Sequence, residues 1–163
     1  MKAIVIMERL FGHPFYGGAW ILVEPSVLKV IDPFRQRSLD APEAGGILLG
    51  YRRETHLHVV EATVPGPADR RTRTFFGRDD SIHRKRAITQ WRNSNRYMDY
   101  LGEWHTHPER SPSPSATDRR AWSEITARRS HDSYVFIILG TREGIWAGCG
   151  LGGSLRVLNE AAS

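Results

Sequence analysis

Short apolar runs punctuated by Gly, Pro and charged residues extend along the whole chain, and their spacing predicts a mixture of strands and helices. Ala3–Met7 and Trp20–Val23 read as two strands joined by the Gly- and Pro-bearing segment Gly12–Gly18. Val27, Leu28, Val30 and Ile31 predict a short helix opened by Ser26 and limited by Pro33. Glu43–Tyr51 predicts a strand with a buried centre, and the alternation of Leu57, Val59, Glu61 and Thr63 predicts its hairpin partner through Arg52–Thr55. Val64-Pro-Gly-Pro67 then breaks the pattern, and the Arg-rich segment Asp69–Arg78, with only Phe75 and Phe76 as large anchors, reads as a loop or edge strand. Ile82, Ala87, Ile88 and Trp91 are spaced for one face of a helix from Ser81 to Asn93–Asn95. Met98–His107 predicts a strand, Pro108–Pro114 a loop, and Ser115 to about Arg129 a second helix. Tyr134–Gly140, Ile145–Gly150 and Leu155–Leu158 predict three closing strands. With no repeat and no linker visible, residues 1–163 are expected to form one α/β or α+β domain.

Composition narrows the class. The 163 residues are 40% hydrophobic and 25% charged, as in ordinary globular proteins. No apolar run approaches the roughly 18 residues of a membrane helix. Ala3–Met7 is also shorter than the about 7 to 15 residues of a signal-peptide core, so a cytoplasmic location is expected. Cys149 is the single cysteine, which excludes an intramolecular disulfide and a zinc finger and leaves imidazole and carboxylate as the ligands for any zinc. The formal charge is +5, and all basic side chains except Lys2, Lys29 and Lys85 are arginines. Such an excess also suits a nucleic-acid binder.

The chemistry concentrates in Gly102-Glu-Trp-His-Thr-His-Pro-Glu109 and Ser111-Pro-Ser-Pro-Ser-Ala-Thr-Asp118. Side chains alternate along a strand, so His105 and His107 share one face while Trp104 and Thr106 take the other. Asp118 follows in the first turn of the next helix as a third ligand candidate. Two imidazoles and a carboxylate match a catalytic zinc, one per chain, whose fourth position holds water with a pKa lowered to about 7. Hydrolysis also needs a base that is not a ligand, and Glu43, at the mouth of the Gly-Gly-Ile-Leu-Leu strand, is the best-placed candidate. Asp118 has a second reading, since Ser115 three residues earlier makes the pair a capping box, and the two roles are compatible. An amidohydrolase would place its HxH in a barrel of roughly 250 residues, more than this chain can build. A metallo-β-lactamase-like site would need an Asp-His pair just downstream, where Pro108 and Glu109 stand.

His105-x-His107, seven residues, then Ser115-x-x-Asp118, with Glu43 upstream before Gly-Gly-Ile-Leu-Leu-Gly, resembles the JAMM signature of the JAB/MPN metallopeptidases. The resemblance runs from about Pro42 to Trp122. It implies an MPN domain with a central mixed or antiparallel sheet flanked by helices, in a cytidine-deaminase-like three-layer arrangement. Thr63-Val-Pro-Gly-Pro67, Asp69-Arg-Arg-Thr-Arg73, Leu101–Glu109 and Pro112–Ser115 are similar to the stand-alone JAB isopeptidases of bacterial CBASS anti-phage operons, which lie beside a nucleotidyltransferase (CD-NTase) and an E1-E2 fusion. For that branch the resemblance implies cleavage of the bond between the CD-NTase C-terminus and a target amine, in the manner of a deubiquitinase. By the same carry-over, His105, His107 and Asp118 hold zinc, Glu43 moves the proton from water to the leaving amine, and Ser115 orients the water and stabilises the oxyanion. The long insertions with which eukaryotic relatives clasp ubiquitin are absent, so ubiquitin itself is not the expected partner.

Two other functions are carried beside this one: a JAB peptidase that processes a ubiquitin-like or sulfur-carrier protein, and a non-catalytic basic module that binds nucleic acid or protein. The complete motif disfavours the second. Glu103 shares a face with His105 and is either a partner for an imidazole N–H or a salt-bridge partner for an arginine. Trp104 is expected in the core, Cys149 as a small buried hydrophobe, and His56, His58, His83 and His131 as structural or exposed. Nine Lys or Arg residues fall between positions 70 and 96, and Arg70, Arg71 and Arg73 are candidates to meet acidic or main-chain groups of a protein tail.

Overall fold

In the computed structural model, which describes residues 8–161, the longest apolar alternations of the chain become the middle of one sheet. Among the described residues the order is β1 (Arg9–Gly12), β2 (Trp20–Val23), α1 (Pro25–Ile31) running into a 3-10 turn at Asp32–Phe34, β3 (Gly45–Arg53), β4 (His56–Ala62), β5 (Arg70–Thr72), β6 (Phe75–Gly77), α2 (Asp80–Asn93), β7 (Met98–Thr106), α3 (Ala116–Arg128), β8 (Tyr134–Leu139), β9 (Ile145–Leu151) and β10 (Ser154–Val157). Eight strands form the main sheet in the order β1-β2-β4-β3-β7-β8-β9-β10, and β5 and β6 form a separate hairpin. The β2/β4 and β7/β8 pairs are parallel and the others antiparallel. A parallel pair needs a crossover, and α3 supplies it between β7 and β8.

Alternation assigns the two faces. Leu48, Trp104, Val135, Ile137 and Leu139 pack with Val27, Leu28 and Ile31 of α1. On the other face Tyr134, Phe136 and Ile138 lie with Trp122 of α3, and Ile47, Leu49 and Met98 lie against Ala87 of α2. The result is three layers, the arrangement that the JAB/MPN resemblance implied. Among the described residues no helix is long and apolar enough to cross a membrane.

Several details differ from the sequence-based expectations. The Ala3–Met7 strand lies outside the described residues. Arg9–Gly12 is instead an edge strand, paired antiparallel with Trp20–Val23. Helix α1 opens at Pro25 rather than Ser26, with Glu24 at the N-cap and no side-chain cap bond, because Pro tolerates the first helical position where its missing N–H costs nothing. The Asp69–Arg78 segment folds back on itself as the β5–β6 hairpin. Helix α2 is rotated from its predicted apolar face: Ile82, Ile88 and Trp91 stay 46%, 38% and 39% exposed, while His83 is buried.

Hydrogen bonds to His83 decide that rotation. Its Nε2 lies 2.9 Å from Asp69 Oδ2 and its Nδ1 2.6 Å from Thr63 Oγ1. A carboxylate only accepts, so Nε2 donates to Asp69, while Nδ1 pairs with the Thr63 hydroxyl, whose oxygen also accepts from Ile47 N–H at 2.9 Å. Asp69 also accepts from the N–H groups of Gly66 (2.8 Å) and Asp79 (2.6 Å), tying the start of α2 to the loop before the hairpin. Both ring nitrogens of the buried His83 are thus partnered, which removes the penalty that an unpaired buried polar group would carry.

Candidate metal centre

The strand that carries the histidines does not alternate evenly. Leu48 faces Gly102 on β7 and Leu49 faces Tyr100, leaving Leu101 as an extra residue, a β-bulge. Tyr100 and Leu101 lie on opposite faces, and after the bulge Trp104 rejoins Leu101 on the α1 side. The bulge thereby brings Glu103 and His105 to the α2–α3 side. Gly102 beside it has φ 149°, and a Cβ there would lie 1.7 Å from Val135 O, so only glycine fits.

Three ligand candidates meet at the end of β7. His105 Nε2 lies 3.0 Å from His107 Nε2 and 3.4 Å from Asp118 Oδ1, and His107 Nε2 lies 3.3 Å from Asp118 Oδ2. Metal–ligand bonds of about 2.0–2.1 Å at tetrahedral angles place ligand atoms roughly 3.3 Å apart, close to the separation of the two Nε2 atoms and to the distance from each of them to one of the two Asp118 oxygens. Donor type agrees, since two imidazoles and a carboxylate suit zinc. The group is partly buried and is the His/Cys/Asp/Glu cluster found among the described residues.

Each member is held by its own element. Asp118 is the third residue of α3, where Ser115 N–H donates to Asp118 Oδ2 at 2.8 Å and Asp118 N–H donates to Ser115 Oγ at 3.1 Å. The capping box and the ligand geometry therefore coexist in one carboxylate. One turn later Trp122 places its ring 5.6 Å from that of His105 and stacks on Phe136 at 4.6 Å and Trp146 at 5.6 Å, giving the His105 imidazole a rigid wall.

Charge is focused here. Burial works against ionisation of Asp118, but hydrogen bonds from His105 and His107 outweigh it and hold the carboxyl well below the usual range. Burial likewise opposes charge on His107, and Asp118, Glu43 and Glu109 reverse it, raising the imidazole. Glu43, 7% exposed, is raised by burial against the pull of both histidines, and its Oε1 lies 3.8 Å from His107 Nε2.

Glu43 lies just outside β3. Its N–H donates to Thr72 O at 2.7 Å and its carbonyl accepts from Arg71 Nε at 2.8 Å, so the Arg-rich hairpin packs on the Glu43 segment. Phe76 sits over Gly45, where a Cβ would lie 2.7 Å from the ring. Arg73 donates to the carbonyls of Ser38 (3.2 Å) and Leu39, while Arg70 is exposed with no acceptor among the described residues. Glu103 takes the salt-bridge alternative, pairing with Arg78 at 2.8 Å.

Sequence reasoning missed Gln36. It is 1% exposed, and it accepts from Thr106 Oγ1 (3.0 Å) and donates to Ala41 O (3.0 Å) and Arg73 O (2.7 Å). Nothing in its Arg-Gln-Arg setting signals this. Trp104 is core as expected, its indole N–H donating to Thr63 O at 2.8 Å. Cys149 is fully buried, and burial pushes its thiol up to about 12, far from a nucleophile.

A three-layer mixed sheet bearing such a His-His-Asp group beside a buried glutamate defines a metallopeptidase-type hydrolase. Residues 29–147 match the family described as prokaryotic homologs of the JAB domain, and the chain belongs to that family. It is 31% identical over 148 residues to the CD-NTase/cGAS isopeptidase of Escherichia coli (strain TW11681), covering 91% of this chain and 88% of the relative. It is 40% identical over 115 residues to the protein of the same name from Vibrio cholerae serotype O1, covering 71% and 72%. A probable metalloprotease, y4qB, of Sinorhizobium fredii is 36% identical over 85 residues, covering 51% and 52%. The solution structure of protein DSY2949 from Desulfitobacterium hafniense shares the fold with TM-score 0.55 at 20% identity, covering 79% of this chain and 82% of that one.

Proposed function

We propose that this chain is a cytoplasmic, zinc-dependent isopeptidase of a bacterial anti-phage (CBASS) system. It hydrolyses the amide that joins the C-terminus of a CD-NTase to a target amine, reversing a conjugation carried out by an E1-E2 fusion. The observation that carries this reading is the convergence of His105, His107 and Asp118, whose polar atoms lie 3.0–3.4 Å apart, with the Glu43 carboxylate 3.8 Å from His107. The isopeptidase names of the relatives support the class of bond.

His105, His107 and Asp118 hold the zinc, which when bound supplies hydroxide near neutral pH and polarises the scissile carbonyl. Glu43 Oε1 takes the proton released by the attacking water and delivers it to the leaving nitrogen, so that amide and water become carboxylate and amine. Its burial raises its proton affinity above that of an ordinary carboxylate, which suits a group that must both take and give. Ser115 Oγ accepts from Asp118 N–H and keeps its own proton, which it offers to the developing oxyanion. Arg70, exposed on the hairpin, meets acidic or main-chain groups of the tail.

The test uses zinc-loaded protein and a CD-NTase carrying a fluorescent protein on its C-terminus. Wild type releases the fluorescent protein, Glu43→Gln keeps its zinc and releases it about 100- to 10,000-fold more slowly, and chelation removes cleavage until zinc is restored. Full cleavage by zinc-loaded Glu43→Gln, or by verified metal-free wild type, overturns the mechanism. Cleavage of a ubiquitin-like carrier with an extended C-terminus, and not of the CD-NTase fusion, overturns the substrate.

A further inference from the structure

Glu43 belongs to no strand or helix, yet both of its main-chain polar groups are held by one three-residue strand: its N–H by Thr72 O at 2.7 Å, its carbonyl by Arg71 Nε at 2.8 Å. The next residue is held by the ligand strand. Ala44 N–H donates to Thr106 Oγ1 at 3.0 Å, and Ala44 O accepts from Thr106 N–H at 2.8 Å. Residues 43–44 thus bridge the hairpin and β7, which carries His105 and ends one residue before His107. Ala44 is fixed by both the main chain and the side chain of Thr106 at the end of β7, whereas the carbonyl of Glu43 depends on a single side chain.

That side chain is itself braced. The Arg71 guanidinium lies 5.9 Å over the Phe34 ring, which packs 6.0 Å from Trp104, and Gln36 ties the turn of the hairpin to Thr106 through Arg73 O. An arginine free to follow a substrate would lack these contacts, as Arg70 does. Building on the reading of Glu43 as proton carrier, we propose that Arg71 is a positioning residue: by pinning the Glu43 carbonyl it sets the direction from which the Glu43 carboxylate faces the His105–His107–Asp118 group. A main-chain rotation at Glu43 swings the end of its side chain, and a displacement of about 1 Å at a reacting group costs about 100-fold in rate.

The experiment is steady-state kinetics on the CD-NTase fusion with zinc-loaded wild type, Arg71→Ala, Arg71→Lys, Glu43→Gln and the Glu43→Gln/Arg71→Ala double variant. The expected result for Arg71→Ala is a kcat lower by about 10- to 100-fold with KM and zinc content unchanged. Millimolar guanidinium is expected to restore part of the rate, and Arg71→Lys to lie between Ala and wild type. In the Glu43→Gln background the Arg71 change is expected to cost nothing more, because the group it positions is no longer ionisable. A raised KM at unchanged kcat makes Arg71 a substrate contact and overturns the proposal, as does a loss that persists in the double variant. If Arg71→Ala fails to fold, judged by thermal melting and zinc content, Arg71→Lys is read by the same kcat, KM and double-variant criteria. Wild-type kinetics of the Arg71 variants beside a Glu43→Gln slowed by about 100-fold or more overturn this inference alone. A Glu43→Gln as fast as wild type overturns the assignment of Glu43 and this inference with it.

Discussion

Trp122 joins the stability of the fold to the geometry of the site, and truncating it tests both. The side chain is 2% exposed and lies between Phe136, Trp146 and His105. A buried tryptophan removes roughly 150–250 Å² from water, which at about 25 cal/mol per Å² corresponds to about 4–6 kcal/mol as an upper figure. Measured truncations of this kind cost about 3–5 kcal/mol, because part of the loss is recovered by relaxation and part is added by the cavity. Trp122→Ala is therefore expected to lower stability by about 3–5 kcal/mol, or Tm by roughly 6–20 °C for a chain of this size. Metal-free protein is the sample, since a bound ion would add its own stabilisation to the folded state. Urea unfolding followed by far-UV circular dichroism reads the difference, with Tyr97→Ala, 74% exposed, as a control expected within about 0.5 kcal/mol of wild type. In the folded fraction the His105 imidazole loses one wall, and zinc affinity measured by chelator competition is expected to weaken. A loss below about 1 kcal/mol would refute the packing role, because no near-complete burial of a tryptophan is that cheap to undo.

Two further outcomes follow from groups away from the site. The Asp69 side chain is 2% exposed; burial disfavours its charge, but the N–H donors of Gly66 and Asp79 together with His83 outweigh this and lower its pKa below the ordinary value. A carboxyl with a depressed folded-state pKa contributes stability that is complete above its unfolded value of about 3.9 and is lost as pH falls through the folded value. The stability gap between wild type and Asp69→Asn is thus expected to be constant at neutral pH and to shrink as pH falls below about 4 in urea titrations, and a gap unchanged by acid would contradict the hydrogen-bond assignment. Cys149, fully buried with its thiol pushed up to about 12, is expected to resist iodoacetamide at neutral pH in the native state and to react once the chain is unfolded; rapid native labelling would place it at the surface.

Short-range pattern carried a large part of the molecule. Strict alternation placed His105 and His107 together and Trp104 opposite them, and the Ser115–Asp118 spacing identified the start of α3, because both relations depend on residues within one turn or one pleat. The single buried cysteine and the absent disulfide were likewise legible, and so was the layering of strands and helices. Other features depend on partners distant in sequence. Which face the histidines take rests on the extra residue Leu101, visible only when β7 is paired with β3. The rotation of α2 follows from His83 meeting Thr63 and Asp69, against its own apolar spacing. Arg71 is spent on the carbonyl of Glu43, 28 positions earlier in the chain, in a segment whose sequence suggests a loop or edge strand with arginines facing a protein tail. Local preferences act through a residue's immediate neighbours and are written in the order of the chain; strand register and the satisfaction of buried polar groups are settled between segments, and only the folded chain brings those segments together.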